Sequence, residues 1–492
     1  MLFLSLLIKM HALLAYYTDG IYVICLATVG VMRFLCVASA AHFFIFGGKK
    51  KMSKKWKNLL SVFLILCFCA FVTGCDSEET KFYADGSVDD GSETTTLHLS
   101  EVPDGYIGIY NADDLVRSGI NENGNYILMN DIDLSDYSDW EWIRNHSIFD
   151  GNGYTISNLT SSKGSLFAVC NDVQNLSLEN VNISVESDYH GWGIGAITSI
   201  LKGNMYNCSA SGTIKFSCGY DYDSFSGTEI GGLVGEIEGE NSSISYCTNR
   251  VNVTTNSEII TDVGGIVGYA NFGTSIIKNC KNYGNISTQF DNNQDVGGIC
   301  GFIGDDETII GCSNYGKIET IVNINPEYYN EYFPSHPTIG IGGITGHSYS
   351  KSSISYCSNL GNIQVNAIAF KGKLFIGIGG ILGFTEGTIN IWNCYNISNL
   401  SINSEITENT LGKVGAILGY SEKGANISYC AYYGYMGLNI DGDGAMFANC
   451  KSMSKEDMQD IKNYPFDSTG WENSEGEYPY PVYIEEPLDY IY

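Results

Sequence analysis

A six-residue glycine motif recurs seven times along this 492-residue chain, and it constrains the fold more than any other feature. Five clear copies begin at Ile230, Val263, Val296, Ile341 and Ile378, each reading apolar-Gly-Gly-apolar-x-Gly. Two weaker copies begin at Ile194 and Val414 and carry Ala196 and Ala416 in place of the second glycine. Successive copies are 36, 33, 33, 45, 37 and 36 residues apart. Internal periods of this size mark architectures built by stacking one supersecondary unit.

A second column locks the repeat. Cys208, Cys247, Cys280, Cys312, Cys357, Cys394 and Cys430 follow their copies at 12 to 15 residues, so nearly all length variation lies after the cysteine. Each unit holds three strand-sized apolar stretches, such as residues 263–269, 275–280 and 283–288, and no helix-length amphipathic run. Asn249, Asn282, Asn314, Asn359 and Asn396 stand two residues after the cysteine. Gly212, Gly284, Gly316, Gly361 and Gly434 stand four after it. Both residue types tolerate positive φ, which predicts a corner reused at every level.

One coil per repeat cannot bury its apolar side alone, whereas a stack can. The expected fold is therefore all-β: a right-handed parallel β-helix, or solenoid, with three short strands per coil and caps at both ends. The apolar residues on either side of each glycine pair are three apart. A straight strand would point them to opposite faces, so a bend at the pair is expected to turn both inward.

The repeat resembles the GLUG motif of bacterial surface proteins, directly over about residues 194–435. Upstream, residues 126–134 and 149–159 resemble the entry segment of such proteins. The resemblance implies a cell-surface protein with a parallel β-helix. It implies no particular chemistry, because the family holds surface proteins without an assigned activity alongside peptidases whose catalytic domain is separate.

The N-terminus supplies an address. Residues 1–51 are an apolar upstream extension, with a run over 21–46 long enough to span a membrane. Met52 opens a second leader, with a basic stretch over 53–57 and an apolar stretch over 59–72 that is short for a membrane span. Val72-Thr-Gly-Cys75 resembles a bacterial lipobox, in which the cysteine thiol takes a lipid and becomes the new N-terminus. The expectation is a signal peptide over 52–75, a lipid on Cys75 and an extracytoplasmic, membrane-anchored protein. The rival is a true membrane segment followed by a second apolar run. Residues 76–104 are acidic and rich in Ser, Thr and Gly, which predicts a disordered tether.

The β-helix is expected over 105–450. Residues 106–110 read as a strand and 112–118 as a short helix opened by Asn111, part of an N-terminal cap over the open first coil. Asp131, Asp133 and Asp136 invite a calcium reading, but the spacing lacks the rest of a known loop, so turn and capping roles are expected. Residues 451–492 read as a C-terminal cap that packs aromatics over the last coil, with a short capped helix over 454–461.

Formal charge is −29, from 26 basic and 55 acidic residues. Such a surface repels nucleic acid and anionic lipid, and neither is expected as a partner. The enlarged loop over 322–338 carries Tyr328, Tyr329, Tyr332 and Phe333, which could contact a polysaccharide or a host or envelope protein. The alternative is a loop folded on its own aromatics. The Asn-x-Ser/Thr triplets at Asn158, Asn182, Asn252 and Asn285 read as corner and strand residues.

The cysteine column weighs a thiol ladder against disulfides or a metal. Stacked Cβ atoms about 4.8 Å apart exceed the usual disulfide separation of about 3.5–4.5 Å. No CxxC or Cys/His set appears, so a ladder of buried free thiols is expected. Enzyme chemistry finds little. Arg117, Arg144 and Arg250 are the arginines of the mature chain, His190 and His347 look isolated, and no His-Glu-x-x-His occurs. A carboxylate pair formed across coils would leave no local spacing, so a carbohydrate-active enzyme stays open as the alternative. The favoured reading is a lipid-anchored binding, adhesion or scaffolding module without a cofactor. A purely structural envelope spacer is the third.

Overall fold

The computed structural model describes residues 81–82, 88–89, 98–119, 124–187, 193–219, 227–258, 261–271, 273–290, 294–323, 338–367, 374–404, 410–433, 446–466, 471–472 and 477–481. The body is a parallel β-helix in which every strand pairs with its counterpart one repeat on. The repeat starting near Thr261 shows the plan. Thr261–Gly264 runs along a leading face, and the glycine pair turns the chain. Val267–Ala270 and Ile276–Lys278 form a middle face, and Lys281–Asn282 and Ile286–Phe290 form a third. The leading face stacks six such strands in parallel register, from Thr228–Gly231 to Thr410–Gly415.

The bend inferred at the glycine pair is present, and it splits the first apolar stretch between two faces. Val263 and Ile266 both point inward and are fully buried, as are Ile230 and Leu233. Inward columns of Ile, Val and Leu run the length of the stack as one apolar core. The cysteine column belongs to it. Its seven members are buried free thiols, and Cys450 adds an eighth, half-buried rung. Each thiol donates to a carbonyl two residues earlier, as from Cys280 Sγ to Lys278 O at 3.2 Å. Burial raises the pKa of Cys280 and Cys312, which keeps these thiols neutral and unreactive.

The corner differs from the expectation. Positive φ falls on the residue just before the cysteine, at Asn207, Tyr246, Asn279, Gly311, Tyr356, Asn393, Tyr429 and Asn449. The asparagines two residues after the cysteine instead point inward and are buried. Asn282 donates from Nδ2 to Asn314 Oδ1 at 2.9 Å and to Gly284 O at 3.0 Å, while its Oδ1 accepts from Gly284 N at 3.0 Å. The ladder continues from Asn314 to Asn359 at 2.9 Å and from Asn359 to Asn396 at 3.0 Å. A buried amide needs all of these partners, and the stack supplies them because every coil offers the same group. The following glycines are there for close approach: a Cβ on Gly316 would lie 1.9 Å from Gly284 O.

The second motif glycine packs against this ladder. A Cβ on Gly298 would lie 2.4 Å from Asn314 Cγ, and one on Gly343 2.3 Å from Asn359 Cγ. The pairing explains the weaker copies. Where the motif carries Ala196 or Ala416, the matching position holds Ala210 or Tyr432 rather than asparagine.

At the N-terminal end, Ala112–Ser118 is a helix whose cap Asn111 accepts from Asp114 N, and Leu115 buries into the core. Asp131 accepts from Thr155 N at 2.9 Å, and Asp133 from Ser135 N at 2.9 Å and Asn158 Nδ2 at 2.8 Å. These are turn roles. At the other end, the helix expected over 454–461 is two 3₁₀ turns, Asp457–Gln459 and Ile461–Asn463. Asp460 adopts an extended conformation and caps Lys462 N, which breaks the helix between them.

Candidate functional site

With the interior sealed by apolar, thiol and amide columns, chemistry is left to the outside. Two columns there flank the glycine motif. Before it stand Glu229, Asp262 and Asp295, in register on adjacent strands of the leading face. After its last glycine stand Glu236, Tyr269, Phe302, His347, Phe384 and Tyr420, in register on the middle face. The glycine turn brings the columns together, because the last glycine lies against the leading strand of the coil before. A Cβ on Gly268 would sit 2.5 Å from Ile230 N, and one on Gly346 2.5 Å from Val296 N. Only glycine allows that approach.

The rings form a continuous ladder. Tyr269 stacks on Phe302 at 4.9 Å, His347 meets Phe302 and Phe384 edge-on at 5.0 and 4.8 Å, and Phe384 stacks near Tyr420 at 5.4 Å. His347, which looks isolated in the sequence, is not. Its Nδ1 is 2.9 Å from Asp295 Oδ2, and its Nε2 lies 3.7 Å from Glu386 Oε1. Asp295 Oδ1 also accepts from Gly340 N at 2.7 Å, which fixes the carboxylate. Burial, then the charges of Glu229 and Glu238, push Glu236 up to about 8. Burial and the charge of Asp295 raise Asp262, and burial raises Glu229. The strip thus carries carboxyl groups raised by burial, Glu229, Asp262 and Glu236, on the same two columns as a hydrogen-bonded imidazole, with Asp262 in register next to Asp295. Among the described residues no three His, Cys, Asp or Glu side chains converge to hold a metal ion.

These columns escaped the sequence reading because Asp295 and His347 lie 52 residues apart, across the enlarged loop. Aligning copies on the motif would have exposed them: an acid directly before three copies and a ring directly after five. Cys75, the proposed lipid site, lies outside the described residues, as do Tyr328, Tyr329, Tyr332, Phe333 and His190.

No protein-family model matches the chain, and no curated protein matches it. Two solved structures resemble it remotely. One, described as an IgA1 protease, is 17% identical with a TM-score of 0.37; the match covers 57% of this chain and 21% of that one. The other is a candidate immunoglobulin A1 protease from Bacteroides ovatus, 20% identical with a TM-score of 0.37, covering 83% of this chain and all of that one. The chain thus spans about a fifth of the length of the first. Neither likeness bears on activity.

Proposed function

We propose that this repeat protein is a lipid-anchored, extracytoplasmic β-helix that acts as a binding, adhesion or scaffolding module. Cys75 carries the lipid, residues 76–104 tether the stack, and the coils present the contact surface. The observation behind this reading is the division of the coil. Its inward columns are mostly apolar, with a thiol column and a hydrogen-bonded asparagine column, while its outward columns repeat in register, as Tyr269 does with Phe302. Contacts repeated along one face would add up to avidity. The loop with Tyr328, Tyr329, Tyr332 and Phe333 supplies further contacts.

A carbohydrate-active enzyme is the second reading, favoured by the raised carboxyl group of Asp262 next to the Asp295–His347 pair and that of Glu236 further along the same columns. One experiment separates them: purified protein is passed over polysaccharides and matrix proteins, and retention and product release are recorded together. Retention without products is the expected result. Release of oligosaccharides, abolished by Glu236→Gln, would replace the binding module with the enzyme. Neither signal would leave an envelope spacer. For the anchor, the cell-made protein should begin at a lipid-bearing Cys75 by intact mass, and a species starting upstream would remove the lipoprotein reading.

A further inference from the structure

The C-terminal segment does more than close the last coil. Met453, Met458, Tyr464, Phe466 and Trp471 bury along one flank, against Ile310, Tyr356, Tyr395 and Ile397 of earlier coils. The Tyr395 hydroxyl donates to Pro479 O, and the Glu477 charge bears on Tyr315. The residues covered this way occupy four places around the cysteine: two before it, one before it, one after it and three after it. Their burial in one cluster shows that these places form one continuous surface.

In the earlier coils the same four places hold Tyr206, Tyr246, Arg250, Lys278, Lys281 and Tyr283. Tyr206 is 48% exposed and Tyr283 41%. Tyr283 stacks on Tyr315 at 4.6 Å, so the open surface runs on from the covered one, and Arg250 lies 5.1 Å over the Tyr283 ring. Among the described residues no carboxylate forms an ion pair with Arg250, Lys278 or Lys281. The charge that bears on Lys281 is another cation, Arg250. Three cations without acidic partners stand out on a chain with 26 basic and 55 acidic residues.

We propose that this open corner binds an anionic polysaccharide, a uronate-rich chain laid along the stack. A sugar face rests on Tyr206, and carboxylates pair with Arg250, Lys278 and Lys281, with the Tyr283 ring, held between Tyr315 and Arg250, positioning the guanidinium. The ring faces and the like-charge cluster each call for one half of that ligand. A single-stranded nucleic acid meets the aromatic requirement too and carries a comparable charge, so it is the competing polyanion, and its retention in place of polygalacturonate would overturn the proposal. The inference rests on the reading of the protein as a binding module.

The test uses the purified protein with polygalacturonate and its methyl ester as probes. Polygalacturonate should be retained at low salt and released as ionic strength rises, and the neutral ester should pass through. Arg250→Gln with Lys281→Gln should weaken binding about tenfold. Tyr283→Ala should weaken it as well, and Tyr283→Phe should not; circular dichroism checks that each variant folds. Unchanged binding in the charge variant overturns the corner as the site while leaving the binding module standing. Retention of other polymers but not polygalacturonate overturns it likewise, whereas retention of nothing removes both readings. Binding that appears only once residues 482–492 are removed overturns it in favour of the chain's own C-terminal residues as the occupant.

Discussion

Replacing Asn314 with alanine tests whether the amide ladder holds the coils together. Asn314 is fully buried and makes four hydrogen bonds: from Nδ2 to Asn359 Oδ1 at 2.9 Å and Gly316 O at 3.1 Å, and to Oδ1 from Asn282 Nδ2 at 2.9 Å and Gly316 N at 3.2 Å. Asn282 Nδ2 keeps Gly284 O, and Gly316 N keeps Asn282 O. Asn359 Oδ1 loses its Asn314 donor with nothing to replace it. The four lost bonds, at about 1 kcal/mol net each, should make Asn314→Ala cost about 4 kcal/mol. The control is Asn366→Ala, at the surface, whose Oδ1 accepts one bond, from Asn403 at 3.1 Å. That change should cost about 0.5 kcal/mol or less. Urea unfolding followed by tryptophan fluorescence measures both. Equal slopes must be checked first, because a stack can unfold in parts. If Asn314→Ala loses no more than Asn366→Ala, the ladder is incidental and the account of the glycine-asparagine pairing fails.

Gly343→Ala would place a Cβ 2.1 Å from Gly380 O and 2.3 Å from Asn359 Cγ. It should cost about 3 kcal/mol or more, and wild-type melting behaviour would contradict the close approach. Stability should also fall as pH rises. Glu236, at about 8, and Glu307, at about 7, are raised in the fold by burial. Between the ordinary carboxyl range and those values the folded state holds more protons than the unfolded state, so the slope is negative. The contribution is complete below about pH 4.5 and is lost on approaching pH 8. Glu236→Gln should flatten that slope in denaturation midpoints measured across the range, and a parallel shift would refute it. In thiol titration, the buried column should react only after denaturation. A denatured protein with fewer than half its thiols free would overturn the ladder.

Much of the architecture was legible because a stack writes its geometry as spacing. The glycine motif and the near-constant step to the cysteine marked the faces and the apolar columns. The step from column to chemistry was harder, since side-chain partners sit one coil away, 32 to 52 residues along the chain. Asparagine suits a turn by its local conformation and suits a buried ladder only if an identical residue lies above and below it. Local propensity therefore pointed Asn282 to a corner, while the stack placed it inside. The correlation that resolves this is within the sequence itself. All five copies with a second glycine carry asparagine two residues after the cysteine, and the two copies with alanine do not. A Cβ on Gly298 would meet both Asn314 Cγ at 2.4 Å and Gly343 O at 2.1 Å, so removing the asparagine should soften a change at Gly298 in part. An Asn314→Ala, Gly298→Ala double variant copies the Ala196 and Ala210 arrangement that the chain already uses at its first copy. It should therefore lose less stability than the two single changes added together.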